Sequence, residues 1–427
     1  MEEVVIKKDR QNILNRVSYA LFFVSCAIFV SLQLLSFIFR LLGLGKILST
    51  DIIFLVSSCL AFFGICFLIV AKFSNIEIKL TKSKLKDNIE YIFLSFCLLW
   101  TLLATIFAIK PDIVWLGNSY NKEGFLSILG YGAIGVSAHS LKSEDRVKIL
   151  KLFVLTSVIP ATYLLFVNIF SLKAILPPPR SIYLNENHYG YVLSVLALVS
   201  AGFVLYDKKV YQKVFFSYCF TVINANLLVS DCFGAHVGQI VGLVVLFVIR
   251  IVETKKLKAT ILVIVGLMAI STTALEVAKI TNISDDYESL FNDASDIAGG
   301  GASGGEGSGR YGLWEDTLVV IGKAPFFGKG LDCYYDNNIY ADIDMPHNEY
   351  LQIASNVGIP CLVGYLAFLV ILFVKTFKNI KRLKREQKIA LSGSLAYLVS
   401  AFFGNTFIYT YPLLVIMIAF IARREKC

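Results

Sequence analysis

The sequence predicts an all-α polytopic membrane protein with about twelve transmembrane helices and a large extracytoplasmic loop before the tenth. Three observations carry that reading. Of the 427 residues, 56% are hydrophobic and only 17% are charged, against roughly 45–50% and 25% in soluble domains. Apolar runs of about 18 residues or more, long enough to cross a bilayer as a helix, recur along the whole chain. The basic residues gather in short loops on alternate sides of those runs.

Each expected span is bounded by such loops. Lys7, Lys8, Arg10 and Arg16 precede the first, at about 17–39, which is too long for a signal-peptide core and lacks a small-residue cleavage site. The second, at about 52–71, ends in a lysine-rich hairpin from Lys72 to Lys86. The third and fourth, at about 89–109 and 124–140, flank a polar loop. The fifth and sixth, at about 152–170 and 189–206, flank LPPPRSIYLNENHYGY. The seventh and eighth, at about 214–230 and 234–250, meet at Ser230-Asp231-Cys232-Phe233-Gly234. The ninth, at about 259–277, opens the long polar segment. The tenth, at about 350–374, leads to seven basic residues between Lys375 and Lys388. The last two fall at about 389–404 and 411–422.

With twelve spans and both termini cytoplasmic, 30 of the 40 Lys and Arg residues fall on the cytoplasmic side and none falls mid-span. A mid-span charge costs roughly 2.5–3.5 kcal/mol on the insertion scale, and cytoplasmic loops are the ones expected to be basic. The segment 278–347 is therefore expected outside the cytoplasm. The organisation follows: a nine-helix transmembrane scaffold over 1–277, a large extracytoplasmic loop over 278–349, expected to be catalytic, and a three-helix part over 350–427. Within the loop, GGGASGGEGSG (299–309) is too poor in side chains to pack and reads as a connector or hinge.

The net charge of +9 does not imply nucleic acid, because the cations sit between spans rather than along a groove with interleaved aromatics. Nor do nine cysteines imply a disulfide framework. Six of them fall within apolar spans, where Cys behaves as a small hydrophobe. Cys333 and Cys232 are the two expected to face outside.

The chemistry concentrates between Gly309 and Pro360. His347 stands at the mouth of the tenth span, its approach set by Pro346. An unperturbed imidazole, with a pKa near 6.5, is mostly neutral at pH 7 and accepts a proton. Its bland alternative is an interfacial histidine satisfied by backbone. Asn348 and Glu349 beside it, and the Gly-Ile-Pro irregularity after it, favour the general base. Arg310 offers a planar fork that fits phosphate oxygens, against the alternative of a snorkelling interface arginine. Arg180, Asn185, Asn187 and His188 form a second polar cluster on that side, where asparagine could equally cap the sixth span. GKAPFFGKG lacks the spacing of a nucleotide phosphate loop. His188, His236 and His347 all fall at outer span ends, yet no pair has the i, i+4 spacing with a carboxylate, so no metal is expected. His139 lies near the cytoplasmic end of the fourth span and reads as structural.

PHNEYLQIASNVGIP, preceded by SGRYGLWEDTLVVIGKAPFFGKGLD, resembles the O-antigen ligase and polymerase family of bacterial membrane glycosyltransferases. RSIYLNENHYGY resembles that family's arginine and Asn-x-Asn element before a span. The resemblance implies a GT-C-like membrane enzyme of the bacterial inner (cytoplasmic) membrane. Its donor would be an undecaprenyl-diphosphate-linked glycan and its acceptor a sugar hydroxyl, with no nucleotide, metal or other cofactor. Membrane lipids, and other polysaccharide assembly proteins, would be its further partners. Carried onto this chain, His347 and Arg310 are the catalytic pair, and Arg180, Asn187, Asn348, Glu349 and Lys329 contact substrate. Trp314 and Tyr350 could stack on sugars. Where many family members carry Ser-Arg-Gly at the junction of spans seven and eight, this chain reads Ser230-Asp231-Cys232-Phe233-Gly234. Arg180 or Lys329 then replaces the missing cation, or the donor differs.

The function expected is polymerisation of surface-polysaccharide repeat units, since nothing in the sequence specifies a lipid A acceptor. The alternatives are a ligase proper, transferring to lipid A core, and a flippase or transporter of the same lipid-linked oligosaccharide. Transport is disfavoured because charged residues, which line transport paths, are kept out of the spans. A membrane anchor or sensor whose loop binds a partner is the third reading.

Overall fold

A computed structural model describes residues 2–44, 50–72, 88–108, 110–119, 121–170, 182–183, 185–255, 259–281, 309–334 and 345–422, with isolated positions between 285 and 299. Arg180 and most of the glycine run lie outside the described residues. Every regular element among those described is a helix. In chain order they are α1 (Glu2–Val30), α2 (Leu32–Leu41), α3 (Thr50–Lys72), α4 (Ile89–Ile106), α5 (Pro111–Val114), α6 (Phe125–Ser140), α7 (Ser143–Ile169) and α8 (Glu186–Tyr206). They continue with α9 (Val210–Val229), α10 (Phe233–Thr254), α11 (Ala259–Val277), α12 (Arg310–Lys323), α13 (Glu349–Val357), α14 (Ile359–Lys378), α15 (Arg385–Ser400) and α16 (Tyr411–Ala422).

Eight of these, namely α1, α3, α4, α7, α8, α10, α11 and α14, are long and apolar enough to cross a membrane. The other four expected spans correspond to α6, α9, α15 and α16. Three of them are short, at 16, 16 and 12 residues, and α9 carries inward-facing amides. Those amides are satisfied inside the bundle: Asn224 donates to Ser271 Oγ (2.7 Å) and accepts from Gln239 Nε2 (2.8 Å). Asn226 donates to the Ala161 carbonyl. Two expected spans are also broken. The first is interrupted at Ser31 between α1 and α2, and the tenth divides at Gly358 into α13 and α14.

The bundle is built around α8, a helix apolar on every side and buried along nearly its whole length. α9, α10 and α15 pack directly on it, with α7 and α11 beside them. Gly238 and Gly242 on α10 let α15 approach: a Cβ at Gly238 would sit 2.4 Å from the Ala396 carbonyl, and one at Gly242 2.9 Å from that of Ser392. Small residues four apart are a usual device for close helix contact where hydrophobicity cannot discriminate helix from lipid. The C-terminal α15 and α16 thus pack into the scaffold of the first nine spans, α16 against α6.

The two ends of the bundle differ in chemistry. At the basic end Asp207 accepts from Lys151 (2.9 Å) and Arg385 (2.7 Å), Glu253 pairs with Lys388, and Glu90 pairs with Lys375. The fully buried Arg146 there donates to the carbonyls of His139, Leu141 and Phe420, tying α7 to α6 and α16. The opposite end carries the helix breaks, histidines and loops described next.

Candidate active site

α13 is the short helix that sets the site. Asn348 is its N-cap, with Oδ1 accepting from the backbone N–H of Tyr350 (3.0 Å) and Leu351 (3.1 Å). That bond explains why the helix starts there, and it commits the Asn348 oxygen to the backbone.

The other end of α13 is held by the Pro-x-x-Gly-x-Gly turn. Lys329 N donates to the Ser355 carbonyl (2.8 Å), Gly330 N to that of Asn356 (2.9 Å), and Ile359 N to that of Pro325 (2.8 Å). The Trp100 indole N–H bridges the carbonyls of Phe326 and Val357, each at 3.1 Å. Gly358 has φ +92°, and a Cβ there would lie 1.8 Å from the Phe326 oxygen. This turn closes the helix's carbonyl end. Lys329 therefore sits about 10 Å of helix rise from Asn348.

His347 precedes the cap with φ +46°, a left-handed conformation uncommon outside glycine. Its Nδ1 lies 3.4 Å from the side-chain nitrogen of Asn405, in the segment joining α15 to α16. Burial, reinforced by the nearby Arg310 charge, brings the imidazole down to about 4. His347 is therefore neutral through the physiological range. Arg310 begins α12, which packs on α13 after Gly309 (φ +79°) has turned the chain. Its charge is also felt at the Tyr191 hydroxyl and at Cys232. Cys232 is the centre of Ser230–Gly234, so the Arg310 charge acts on the junction where the sequence lacks a cation.

Glu349 is buried (1% exposed), and neither carboxylate oxygen has a hydrogen-bond partner. Burial raises it to about 8, so it is an uncharged acid at neutral pH. Were it ionised, its charge would act on Tyr191, Tyr350, Tyr365, Tyr397 and Tyr411. Nearby, Glu123 accepts from Tyr131 (2.6 Å), and Asp332 accepts from the amides of Asn118 and Asn121, fastening the loop after α5 to that after α12.

His188, buried near the start of α8, is hydrogen-bonded through Nδ1 to the Tyr409 hydroxyl (2.7 Å), and its ring lies 3.9 Å from that of Phe407. With His347 against Asn405 and His188 against Tyr409, the two imidazoles both contact the 404–410 segment. Asn185 caps α8 by accepting from Asn187 N (2.8 Å), the structural role open to it in the sequence. Asn187 also accepts from Cys232 through its carbonyl (3.5 Å). Trp314 meets Phe402 edge to face at 5.2 Å, and the Tyr350 hydroxyl donates to the Leu398 carbonyl (2.7 Å). His236 is buried on α10, and the described residues contain no group of three metal-ligating side chains.

The structure thus brings Arg310, His347, Asn348, Glu349 and Asn187 to one end of the bundle, with Lys329 at the far end of α13. The sequence reading missed Asn405, Tyr409 and Tyr191. The signal for Asn405 was the Gly-Asn-Thr interruption at 404–406 between two apolar runs.

These features define an integral membrane protein whose polar site is assembled from helix breaks at one end of its bundle. Residues 219–366 match a family model described as O-antigen ligase. A Haemophilus influenzae protein described as an uncharacterized protein is 25% identical over 249 residues, 54% of this chain and 60% of the relative. The chain thus spans about 60% of that relative's length. The family match contains Arg310 and His347. It leaves out His188, Asn405 and Tyr409.

Proposed function

We propose that this protein transfers an undecaprenyl-diphosphate-linked glycan to a sugar hydroxyl on the outer face of the bacterial inner membrane, polymerising surface-polysaccharide repeat units. Both termini would be cytoplasmic, and the site end of the bundle would face outward. The single observation that carries the reading is the neutral His347 held beside Arg310 within the region of the family match.

In the reaction, the acceptor oxygen bonds to the anomeric carbon as the bond from that carbon to the diphosphate oxygen breaks. The acceptor's proton passes to His347, which later releases it to water. The diphosphate leaves on its lipid, and Arg310 stabilises the charge that develops there. Arg180 would add to that grip. An arriving diphosphate also offsets the guanidinium charge that depresses His347, so donor binding raises the basicity of the imidazole as it is needed. Glu349, as an uncharged acid, and Asn187 would meet sugar hydroxyls.

The test is reconstitution of the full chain in vesicles with a purified fluorescent undecaprenyl-diphosphate oligosaccharide, following both chain length and movement between leaflets. Glycan lengthening with no movement supports the reading. Movement between leaflets without a longer product overturns it in favour of a flippase, and transfer only to added lipid A core identifies a ligase.

A further inference from the structure

Asn405 lies outside the family match and outside every motif that the sequence singles out. It is 4% exposed and held from two sides. The N–H of Thr406 donates to Gln352 Oε1 on α13 (2.9 Å), one turn beyond Glu349. The preceding Gly404 lies so close to the Tyr191 hydroxyl that a Cβ would come within 1.5 Å of it. Its place beside His347 is therefore fixed by packing.

The hydrogen bonding of this amide is incomplete. Its nitrogen faces His347 Nδ1 at 3.4 Å, while Oδ1 is buried without a partner. A buried acceptor left without a donor is destabilising. The two ends of a side-chain amide exchange by a half-turn. After that half-turn the oxygen faces Nδ1 and accepts a proton from it, and the amide nitrogen takes the position the oxygen leaves. An imidazole with its proton on Nδ1 keeps its lone pair on Nε2, the nitrogen then free to take a proton from substrate. The uncommon φ of His347 fits a ring whose direction matters and is held from outside its own backbone.

We propose that Asn405 is the positioning residue of His347: its side-chain oxygen accepts the Nδ1 proton, fixes the ring and leaves Nε2 as the base. The proposal rests on the transfer reaction above for its purpose, but its geometry is tested independently of turnover.

The experiment uses the full-length protein in lipid nanodiscs with 15N-labelled histidine. Nuclear magnetic resonance reports which His347 nitrogen carries the proton and at what pH the ring titrates. The expected result is a proton on Nδ1 in the wild type and a mixed tautomer in Asn405→Ala. In Asn405→Asp, a carboxylate beside the ring favours the imidazolium, so the titration moves above that of the wild type. Turnover in Asn405→Ala falls at least about 10-fold, less than the roughly 100-fold or more that a general base itself contributes, because the base is misplaced and not removed. Affinity for undecaprenyl diphosphate changes less than about 2-fold, and Asn405→Asp recovers most of the turnover. A wild-type ring protonated on Nε2 overturns the proposal without needing any variant to fold. So does a titration that neither substitution moves. A wild type that shows the expected tautomer yet makes no product refutes the transfer reading instead.

Discussion

The Arg310 guanidinium lies near enough to His347 that its charge, added to burial, holds the imidazole to about 4. The sign is fixed by charge repulsion, since a cation beside the ring disfavours a second cation. In Arg310→Gln the repulsion is gone, so His347 should titrate at higher pH than in the wild type. Inorganic pyrophosphate bound beside Arg310 should move it the same way. Histidine resonances followed between pH 3 and 8 check both, and an unmoved ring would separate the two residues electrostatically.

The same relationship sets the acid limb of activity. For the free enzyme, kcat/KM should hold as pH falls past 6.5 and drop only as it approaches about 4. A rate profile that breaks near 6.5 would show an imidazole exposed to water.

Arg310 and Lys329 were both read as phosphate-binding cations, and their positions separate them. Arg310→Ala should weaken binding of undecaprenyl diphosphate by at least about 10-fold, the loss of one charge-assisted contact. Lys329→Ala, at the far end of α13, should change it by less than about 2-fold. Calorimetric titration in nanodiscs measures both.

How much of this was legible in the sequence depends on what each residue does. His347 and Arg310 stand out because an ionisable residue beside an apolar run is costly unless it has a task. The membrane class was legible from the long apolar runs and the basic loops between them. Asn405 was not, because a single asparagine between the last two apolar runs looks like any turn, and its meaning comes only from α15 and α16 folding back beside α13. The break at Gly358 was visible as an irregularity, but its cause was not, since the Phe326 carbonyl that excludes a side chain there is more than thirty residues away. The twelve-span count outran the structure where α6, α15 and α16 are short and α9 buries amides among its neighbours.

Glu349 couples the site to stability. Its carboxyl is raised by burial to about 8 in the folded protein, from an ordinary 4.5, so the folded state holds a proton that the unfolded state has lost. Stability is then full below about 4.5 and declines as pH rises toward 8. Glu349→Gln, which cannot ionise, should gain thermal stability relative to the wild type across that window and keep the gain above it. Melting temperatures at pH 4.5 and pH 9 decide this. An equal difference at both would mean that Glu349 ionises freely when folded.

The clamp on α13 is open to a simple substitution. Gly358→Ala must fit a Cβ against the Phe326 carbonyl at a positive φ, a backbone and packing conflict that should cost about 2 kcal/mol or more. Trp100→Phe removes one donor shared by two carbonyls and should cost about 1 kcal/mol. Melting in detergent ranks them, and the opposite order would place the closure of α13 in the indole rather than in the glycine.

The most direct test of the central claim is to count products. Wild-type protein and His347→Ala are each supplied with purified undecaprenyl-diphosphate oligosaccharide, and released undecaprenyl diphosphate is measured against new glycosidic bonds. The account predicts one released carrier per bond for the wild type. For His347→Ala it predicts a fall of roughly 100-fold or more in release with the donor still bound. Release from His347→Ala within about 3-fold of the wild type would contradict it.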